Sequence, residues 1–130
     1  MNAQEPVFED VLLELRRGEK ESHWMWFIFP QMKGLGASAM AQRFAISSRA
    51  EAEAYLAHPI LGPRLVQCTE LVNAIEGRSA ERIFGPVDAM KFRSSMTLFR
   101  EAAPAPNVFD EALKKYFEGQ PDTRTLELLR

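Results

Sequence analysis

The residues with the clearest capacity to bind a small molecule lie in the run His23–Gln31, which reads HWMWFIFPQ. This run holds both tryptophans of the chain, Trp24 and Trp26, and two of its nine phenylalanines. Each large aromatic side chain buries roughly 150–250 Å², so such a density is stable only inside a core or in the wall of a pocket. Because polar His23 and Gln31 stand at its two ends, the run has the composition of a small-molecule site, an apolar wall with a few polar groups.

A second candidate for ligand binding is the segment Lys91–Phe99, KFRSSMTLF. On a helix, Lys91, Ser94 and Ser95 fall on one stripe by the i, i+3, i+4 rule. A lysine and two serines beside an apolar face could hold an anion or the hydroxyls of a sugar. Two other interpretations stay open: Lys91 pairs with Asp88 three residues earlier on the surface, or the serines allow two helices to pack closely.

The remaining reactive side chains point less clearly to chemistry. His23 could act as a general base or bind a ligand, or it could bond a carbonyl near a helix start and serve packing. His58 and Cys68 do not stand with His23 at any zinc-binding spacing, and Cys68 falls on an apolar helical stripe, where a thiol behaves as a small hydrophobe. The chain contains no GxGxxG, P-loop or GxSxG motif. We therefore expect no metal and no cofactor.

Composition limits the class of protein and its partners. The 130 residues carry a net charge of −2, so no overall basic character points to nucleic acid. No apolar stretch approaches the roughly 18 residues that span a bilayer, and the N-terminus lacks the basic and apolar regions of a secretory signal. The single cysteine allows no disulfide within the chain and suggests a reducing compartment. We predict a cytoplasmic protein that binds neither nucleic acid nor membrane, while its oligomeric state stays open.

Hydrophobic periodicity predicts an all-α fold: one compact, multihelical domain of about seven or eight short helices over residues 1–130. The clearest stripe is Leu61–Ile75, where apolar residues recur at three- and four-residue steps. The aromatic run could also be a strand, but no β-rich partner occurs elsewhere in the chain, so helix is favoured. Helix starts are predicted from side chains that can cap a first turn: Ser22, Ser38, Ser48, Ser79, Asp88, Asn107 and Asp122 or Thr123.

The apolar stripes of these helices predict one contiguous core, because short helices need tertiary burial to be stable. Part of the aromatic run is therefore expected to be structural whatever the function. The largest core residues are expected to be Trp24, Phe27, Leu65, Phe92, Phe99 and Phe117.

At HWMWFIFPQ, at KFRSSMTLF and at YLAHPILGPRL (residues 55–65) the chain resembles the bacterial domain-of-unknown-function 1810 family. The resemblance runs from about residue 8 into the tail and implies a mainly α-helical fold without an established activity. Phe44 stands where the family more often has Tyr, which removes a hydroxyl. Some members carry the name calpastatin, which implies a protease inhibitor. Calpastatin inhibitory segments are disordered, however, and this chain is too apolar and too regularly patterned for disorder.

A more distant similarity concerns Leu61–Arg64, a Leu-Gly-x-Arg turn, followed later by Lys91-Phe92. This order is similar to the multihelical family associated with NAD and ADP-ribose metabolism. That similarity implies cleavage of an N-glycosidic bond on a ribose phosphate.

Together these observations predict a polar-rimmed pocket that binds, and could hydrolyse, a small phosphorylated sugar or nucleotide-like metabolite. The alternative is a protein-interaction or structural module without chemistry, and whether the protein is an enzyme stays open. Convergence of His23, Lys91 and Ser94 on one concavity would favour the pocket. The residues expected to bind the ligand are His23, Trp24, Trp26, Gln31, Arg43, Arg64, Lys91, Ser94 and Ser95.

Overall fold

Nine helices, joined by turns and short loops, make up the fold within residues 3–130, the part of the chain that the computed structural model describes. They are α1 (Phe8–Arg17), α2 (Met25–Ile28), α3 (Ala39–Phe44), α4 (Arg49–Ala57), α5 (Leu61–Ala74), α6 (Ala80–Phe84), α7 (Pro86–Ala102), α8 (Val108–Phe117) and α9 (Thr123–Leu128). The predicted all-α, multihelical fold class is confirmed. Several elements are very short, since α2 has four residues and α6 has five. No helix in the described residues is both long enough and apolar enough to cross a bilayer.

The core is built around α7, which has 17 residues and packs against α4, α6, α8 and α9. Its Phe92 is fully buried, and four aromatic rings surround it. The ring-centroid distances from Phe92 are 4.7 Å to Phe84, 5.0 Å to Phe29, 6.3 Å to Phe117 and 6.4 Å to Tyr116. Aromatic pairs of this kind add roughly 0.5–1.5 kcal/mol each beyond the burial of apolar area.

The six large residues predicted to form the core share one cluster of apolar side chains. Phe27 and Phe117 are its partly exposed members, and the other four are buried. The prediction of one contiguous core is therefore confirmed.

The aromatic run is helical for a single turn only. Trp24 is the N-cap of α2, and Phe29 at its end has φ −123° and ψ 74°, outside the helical region. Pro30 follows directly and has no N–H to continue a helix. Helix, the interpretation favoured from the sequence, therefore holds for Met25–Ile28, and the chain beyond it is extended.

A short parallel bridge between Met32 and Ile46 closes the segment 31–46. The Ile46 amide donates to the Gln31 carbonyl at 2.8 Å, and the Lys33 amide donates to the Ile46 carbonyl at 2.8 Å. The segment contains α3, whose first turn is capped by Ser38 as predicted, through a bond from the Ala41 amide at 3.1 Å.

Glu14, on the inner face of α1, organises the start of the aromatic run. Its buried carboxylate accepts hydrogen bonds from three N–H groups: the Glu21 amide at 2.7 Å, the Ser22 amide at 3.0 Å and the Trp24 indole at 2.9 Å. The Ser22 hydroxyl donates to the same carboxylate. The predicted capping role of Ser22 is therefore wrong, because its hydroxyl binds Glu14 and no side chain caps α2.

These hydrogen bonds change the titration of Glu14. Burial by itself raises the pKa of the carboxyl, but the bonds from Ser22, Glu21 and Trp24 outweigh burial and hold the pKa below its usual value of 4.5. Because the pKa is lower in the folded than in the unfolded state, the ionised carboxylate stabilises the fold. That stability is fully present above the unfolded pKa and is lost as the pH falls through the folded pKa.

Close contact between α4 and α5 depends on Gly62. A Cβ atom at this position would lie 2.1 Å from the carbonyl oxygen of Leu56, so any side chain would force the two helices apart. The missing side chain lets the end of α4 approach the first turn of α5. Tyr55 and His58 are therefore held beside α5.

Replacing Phe99 with Ala should lower the free energy of unfolding by roughly 2–5 kcal/mol, because the substitution leaves a cavity where a ring was packed. Urea denaturation followed by circular dichroism measures this loss. Leu13, which is 53% exposed on α1, provides the control: Leu13→Ala should change the free energy by less than about 0.5 kcal/mol. A loss for Phe99→Ala as small as that of the control would place Phe99 outside the core.

Replacing Glu14 with Gln should cost roughly 1–3 kcal/mol at neutral pH, because an amide cannot accept all of the donors that surround this position. The same substitution should also weaken the fall in stability below pH 4.5, since the depressed carboxyl pKa is its cause. Urea unfolding curves over a pH series measure both effects. Glu9→Gln, at an exposed position in the first turn of the same helix, is the matched control and should leave stability nearly unchanged. An unaltered pH profile in Glu14→Gln would contradict the assignment.

Candidate functional site

Two cavities are lined by different parts of the segment 31–46. The Lys91 cavity has a volume of about 480 Å³ and the Arg43 cavity about 770 Å³, both within the range of roughly 300–1,000 Å³ that is usual for ligand pockets. Residues that define the Lys91 cavity are Trp26, Gln31, Ser38, Lys91, Ser94 and Asp122. Residues that define the Arg43 cavity are Gln4, Phe27, Arg43, Phe44, Tyr55 and His58.

The predicted ligand-binding residues divide between these places. The structure brings Trp26, Gln31, Lys91 and Ser94 together in the Lys91 cavity. Arg43 lines the other cavity. The remaining four, His23, Trp24, Arg64 and Ser95, are not among the residues that line either one.

Three of these four, His23, Trp24 and Ser95, lie in different surroundings. His23 precedes α2, is exposed and is not among the residues that line the cavity with Lys91 and Ser94. Trp24 is buried, and its indole N–H donates to Glu14, so neither its ring nor its N–H is open to a ligand. Ser95 is fully buried in α7, and its hydroxyl has no hydrogen-bond partner within residues 3–130.

Lys91 stands between an aromatic face and a carboxylate. Its Nζ lies 4.7 Å from the centroid of the Trp26 ring and 3.4 Å from Asp88 Oδ1, which is the i, i+3 pair that the sequence suggested. Asp88 binds Lys20 more closely, with 2.9 Å between Lys20 Nζ and Asp88 Oδ2. Two lysines thus share one carboxylate, and the group keeps one excess positive charge. Lys20 also donates a hydrogen bond to the Ser22 carbonyl at 2.6 Å. Lys91 is therefore the lysine whose ammonium group is more available to an anionic ligand.

Asp88 can pair with both Lys20 and Lys91 because its carboxylate does not cap α7. The sequence predicted it as the cap, and that prediction is wrong. The helix begins two residues earlier, at Pro86, after Gly85 with φ 85°. Proline suits the first position of a helix, because its missing N–H would be unpaired there anyway. Asp88 therefore lies inside the first turn, where its carboxylate is free to meet lysines.

The polar groups of the Lys91 cavity offer both donors and acceptors. The Ser94 hydroxyl donates to the Met90 carbonyl at 3.1 Å, so the lone pairs of its oxygen can accept. Ser38 Oγ accepts from the Ala41 amide at 3.1 Å, which leaves its own O–H able to donate. Asp122 is largely engaged, because its Oδ2 accepts from the Thr125 amide at 3.0 Å and caps α9.

A hydrogen-bond network forms the floor of the Arg43 cavity. The buried Gln4 side chain donates to the Phe27 carbonyl at 2.8 Å and accepts from Arg64 at 3.2 Å. The Tyr55 hydroxyl meets the same Phe27 carbonyl at 3.4 Å and lies 3.4 Å from Gln4 Nε2. Arg64 also pairs with Glu5 at 2.8 Å. Arg64 therefore supports the floor of this cavity rather than lining it.

Burial controls the two weak acids closest to this region. It raises the pKa of Tyr55 to about 12, although the hydrogen bond with Gln4 lowers it in part. Burial likewise raises the pKa of Cys68 to about 12. Neither a phenolate nor a thiolate is therefore available at neutral pH, and Cys68 has the environment of an inert core thiol. No group of three or more His, Cys, Asp or Glu side chains in residues 3–130 is arranged to hold a metal ion.

Gln4, Tyr55 and Glu14 organise these sites, and the sequence analysis did not single them out. A signal existed for Glu14, since it lies three residues after Val11 on the apolar face of α1, where a lone carboxylate needs partners. Gln4 precedes the first helix, and no periodicity marks it. Its role follows only from long-range contacts.

Comparison with known proteins supports the fold and leaves the activity open. The family model described as "Protein of unknown function (DUF1810)" matches residues 1–129. The crystal structure of the conserved hypothetical protein Rv1873 from Mycobacterium tuberculosis is similar to this chain, with a TM-score of 0.97 and 55% sequence identity over 98% of this chain and 91% of that one. No curated protein matches the chain. A function therefore has to be argued from the site itself.

The Cys68 thiol should not react with Ellman's reagent in the native protein, because it is buried and its pKa of about 12 leaves almost no thiolate at neutral pH. Absorbance during a time course measures the reaction. The same protein unfolded in urea provides the positive control and should release its single thiol quickly. Rapid reaction of the folded protein would show that Cys68 is accessible.

Proposed function

We propose that this chain, which belongs to the DUF1810 family of proteins of unknown function, binds a small phosphorylated sugar or nucleotide-like metabolite in the Lys91 cavity. The observation that carries the proposal is the position of Lys91. Its ammonium group lies 4.7 Å over the Trp26 ring, and both side chains line one cavity of about 480 Å³. A flat ring and a fixed positive charge at the same opening suit a ligand that has both a ring and an anionic group.

The charge of the site supports an anionic ligand. Lys20, Asp88 and Lys91 together carry one net positive charge, and Asp88 is bound more closely by Lys20 than by Lys91. The carboxylate of Asp122 also lines the cavity, but its Oδ2 caps α9, so Lys91 is the charged group open to a ligand. An incoming phosphate can therefore replace a weak contact of Lys91 without leaving Asp88 unpaired. A lysine serves phosphate as a point charge.

The polar groups around Lys91 support a ligand with hydroxyls. Ser38 can donate, Ser94 can accept, and the Gln31 amide can do both. Gln31 and Ser38 come from the segment 31–46 and Ser94 comes from α7, so two elements of the fold supply these polar groups.

The mouth of the cavity adds exposed apolar surface. Val87 and Met90 line it, and they are 66% and 72% exposed. Large apolar side chains exposed beside a polar pocket favour a ligand with an apolar face, such as a base or a sugar ring.

The proposal concerns binding. Hydrolysis of an N-glycosidic bond, as the distant similarity implied, requires as a rule a pair of carboxyl groups that flank the bond. Asp122 is the one carboxylate among the described residues that line this cavity, and its Oδ2 caps α9. The cavity therefore favours capture of the ligand over its cleavage.

Substituting Lys91 with Ala should weaken binding while leaving the fold intact, since Asp88 keeps Lys20 as its partner at 2.9 Å. Thermal unfolding against a panel of nucleoside phosphates, pentose phosphates and hexose phosphates measures this. A ligand at about 100 times its dissociation constant should stabilise the wild type by roughly 2.7 kcal/mol. The shift should be much smaller in Lys91→Ala. Ligand contact with Trp26 should also change its fluorescence, and Trp26→Phe should abolish that change.

Lys114→Ala is the matched control. Lys114 is a helical lysine paired with a carboxylate on its own helix, Asp110 at 3.0 Å, but it is 71% exposed on α8 and lines neither cavity. Its removal should leave ligand binding unchanged. If no phosphorylated metabolite binds the wild type at about 1 mM, corresponding to roughly 4 kcal/mol of affinity, the proposal fails and the interaction module becomes the better hypothesis.

A further inference from the structure

We propose that the Arg43 cavity is a second small-molecule site, for a planar aromatic carboxylate whose anionic group binds between Arg43 and His58. This site goes beyond the proposed metabolite site, because the residues that line the two cavities are entirely different. Each proposal can therefore fail without the other.

Aromatic side chains form the wall of the Arg43 cavity. The Phe27 and Phe44 rings lie 5.4 Å apart with a tilt of 57°, and Tyr55 stands beside them in the same lining. All three are partly exposed and line the cavity, so each keeps part of its ring surface outside the core. A flat ring is the ligand group that such a wall accommodates best.

Arg43 provides a charge that the protein itself does not neutralise. Its guanidinium carbon lies 5.0 Å from the centroid of the Phe44 ring. Within residues 3–130 its side chain has neither an ion pair nor a hydrogen bond; the eight ion pairs found there all involve other residues. A guanidinium stacked on an aromatic face keeps its planar fork available for a carboxylate.

His58 provides a second donor, and its tautomer follows from the backbone. Its Nδ1 accepts hydrogen bonds from the Ile60 amide at 3.1 Å and the Leu61 amide at 3.2 Å, at the start of α5. Nδ1 therefore carries no proton, and the neutral ring must carry its proton on Nε2. No acceptor for this N–H occurs among the described residues, and His58 lines the cavity. The imidazole thus has one nitrogen fixed by the fold and the other open to a ligand.

The charge balance of the cavity selects a carboxylate over a phosphate. Glu51 also lines it, and its two oxygens accept from the Ser47 amide at 2.9 Å and the Ser47 hydroxyl at 3.2 Å. One arginine and one glutamate leave no net charge. A carboxylate brings a single negative charge, whereas a phosphate monoester brings about 1.5 to 2 at neutral pH. The extra charge would meet Glu51 without a second cation to balance it.

The floor of the cavity is already formed without a ligand. Gln4, Tyr55 and the Phe27 carbonyl bind one another, and Arg64 ties Gln4 to α5. The ligand therefore does not have to order these groups, which lowers the entropic cost of binding.

Isothermal titration with naphthoate tests the proposal on the full-length chain. The wild type should bind naphthoate at least about tenfold more tightly than the neutral naphthalenemethanol, because a hydrogen bond to a charged group increases affinity by about this factor. Naphthyl phosphate should bind more weakly than naphthoate. Arg43→Gln should weaken naphthoate binding by about tenfold or more. Arg43→Lys keeps the charge but not the planar fork, so its affinity for naphthoate should lie between those of the wild type and Arg43→Gln.

Two further variants separate binding from folding. His58→Asp keeps an acceptor that can cap α5 but removes the donor and adds a negative charge, so naphthoate binding should be lost while the thermal unfolding temperature stays close to that of the wild type. Arg16→Gln, an exposed arginine in the last turn of α1 just as Arg43 is in the last turn of α3, should bind naphthoate as the wild type does. The proposal is overturned if naphthoate does not bind, if Arg43→Gln binds it equally well, or if naphthyl phosphate binds more tightly than naphthoate.

Discussion

The buried carboxylate of Glu14 is the constraint on which the rest of the molecule depends. Its donors come from Glu21, Ser22 and Trp24, so it fixes the loop after α1 and the entry of the aromatic run together. An ionised carboxyl in this position would be very costly without these donors. Once Trp24 is held in the core, Trp26 and Phe27 follow on the single turn of α2. One then lines the Lys91 cavity and the other the Arg43 cavity.

Much of the fold could be predicted from local chemistry. The caps Ser38, Ser48, Ser79, Asn107 and Asp122 all accept from an amide three residues ahead, as their side chains predict. Local chemistry failed at Ser22, where a distant partner binds the side chain, and at Asp88, where the helix begins two residues earlier, at Pro86. The hydroxyl of Ser22 binds Glu14, and the carboxylate of Asp88 binds Lys20. Rules based on local residue spacing do not predict either of these contacts, because each partner lies in another segment of the chain.

The candidate site was predictable to a similar extent. The three-residue spacing of Lys91 and Ser94 on a helix was enough to predict that they share one stripe, and both residues line one cavity. Trp26 and Gln31 join Lys91 and Ser94 in that cavity because α2 packs against α7. Hydrophobic periodicity does not predict which helices pack together. Arg43 and Arg64 were grouped with Lys91 as residues expected to bind one ligand. Arg43 instead lines a second cavity, whose floor Arg64 supports, and the two cavities are lined by different parts of the segment 31–46.

That segment also contributes to the walls of both cavities. Residues before and at the start of α3 line the Lys91 cavity, while Arg43, Phe44 and the residues that follow line the Arg43 cavity. The backbone bonds of the Met32–Ile46 bridge tie its ends together, so a shift of α3 would change both walls at once. Any ligand that favours one position of α3 must therefore alter the affinity at the other cavity, and the coupling free energy is the same whichever ligand binds first. The four-residue helix α2 and the segment 31–46 thus each contribute residues to both cavities of this small chain.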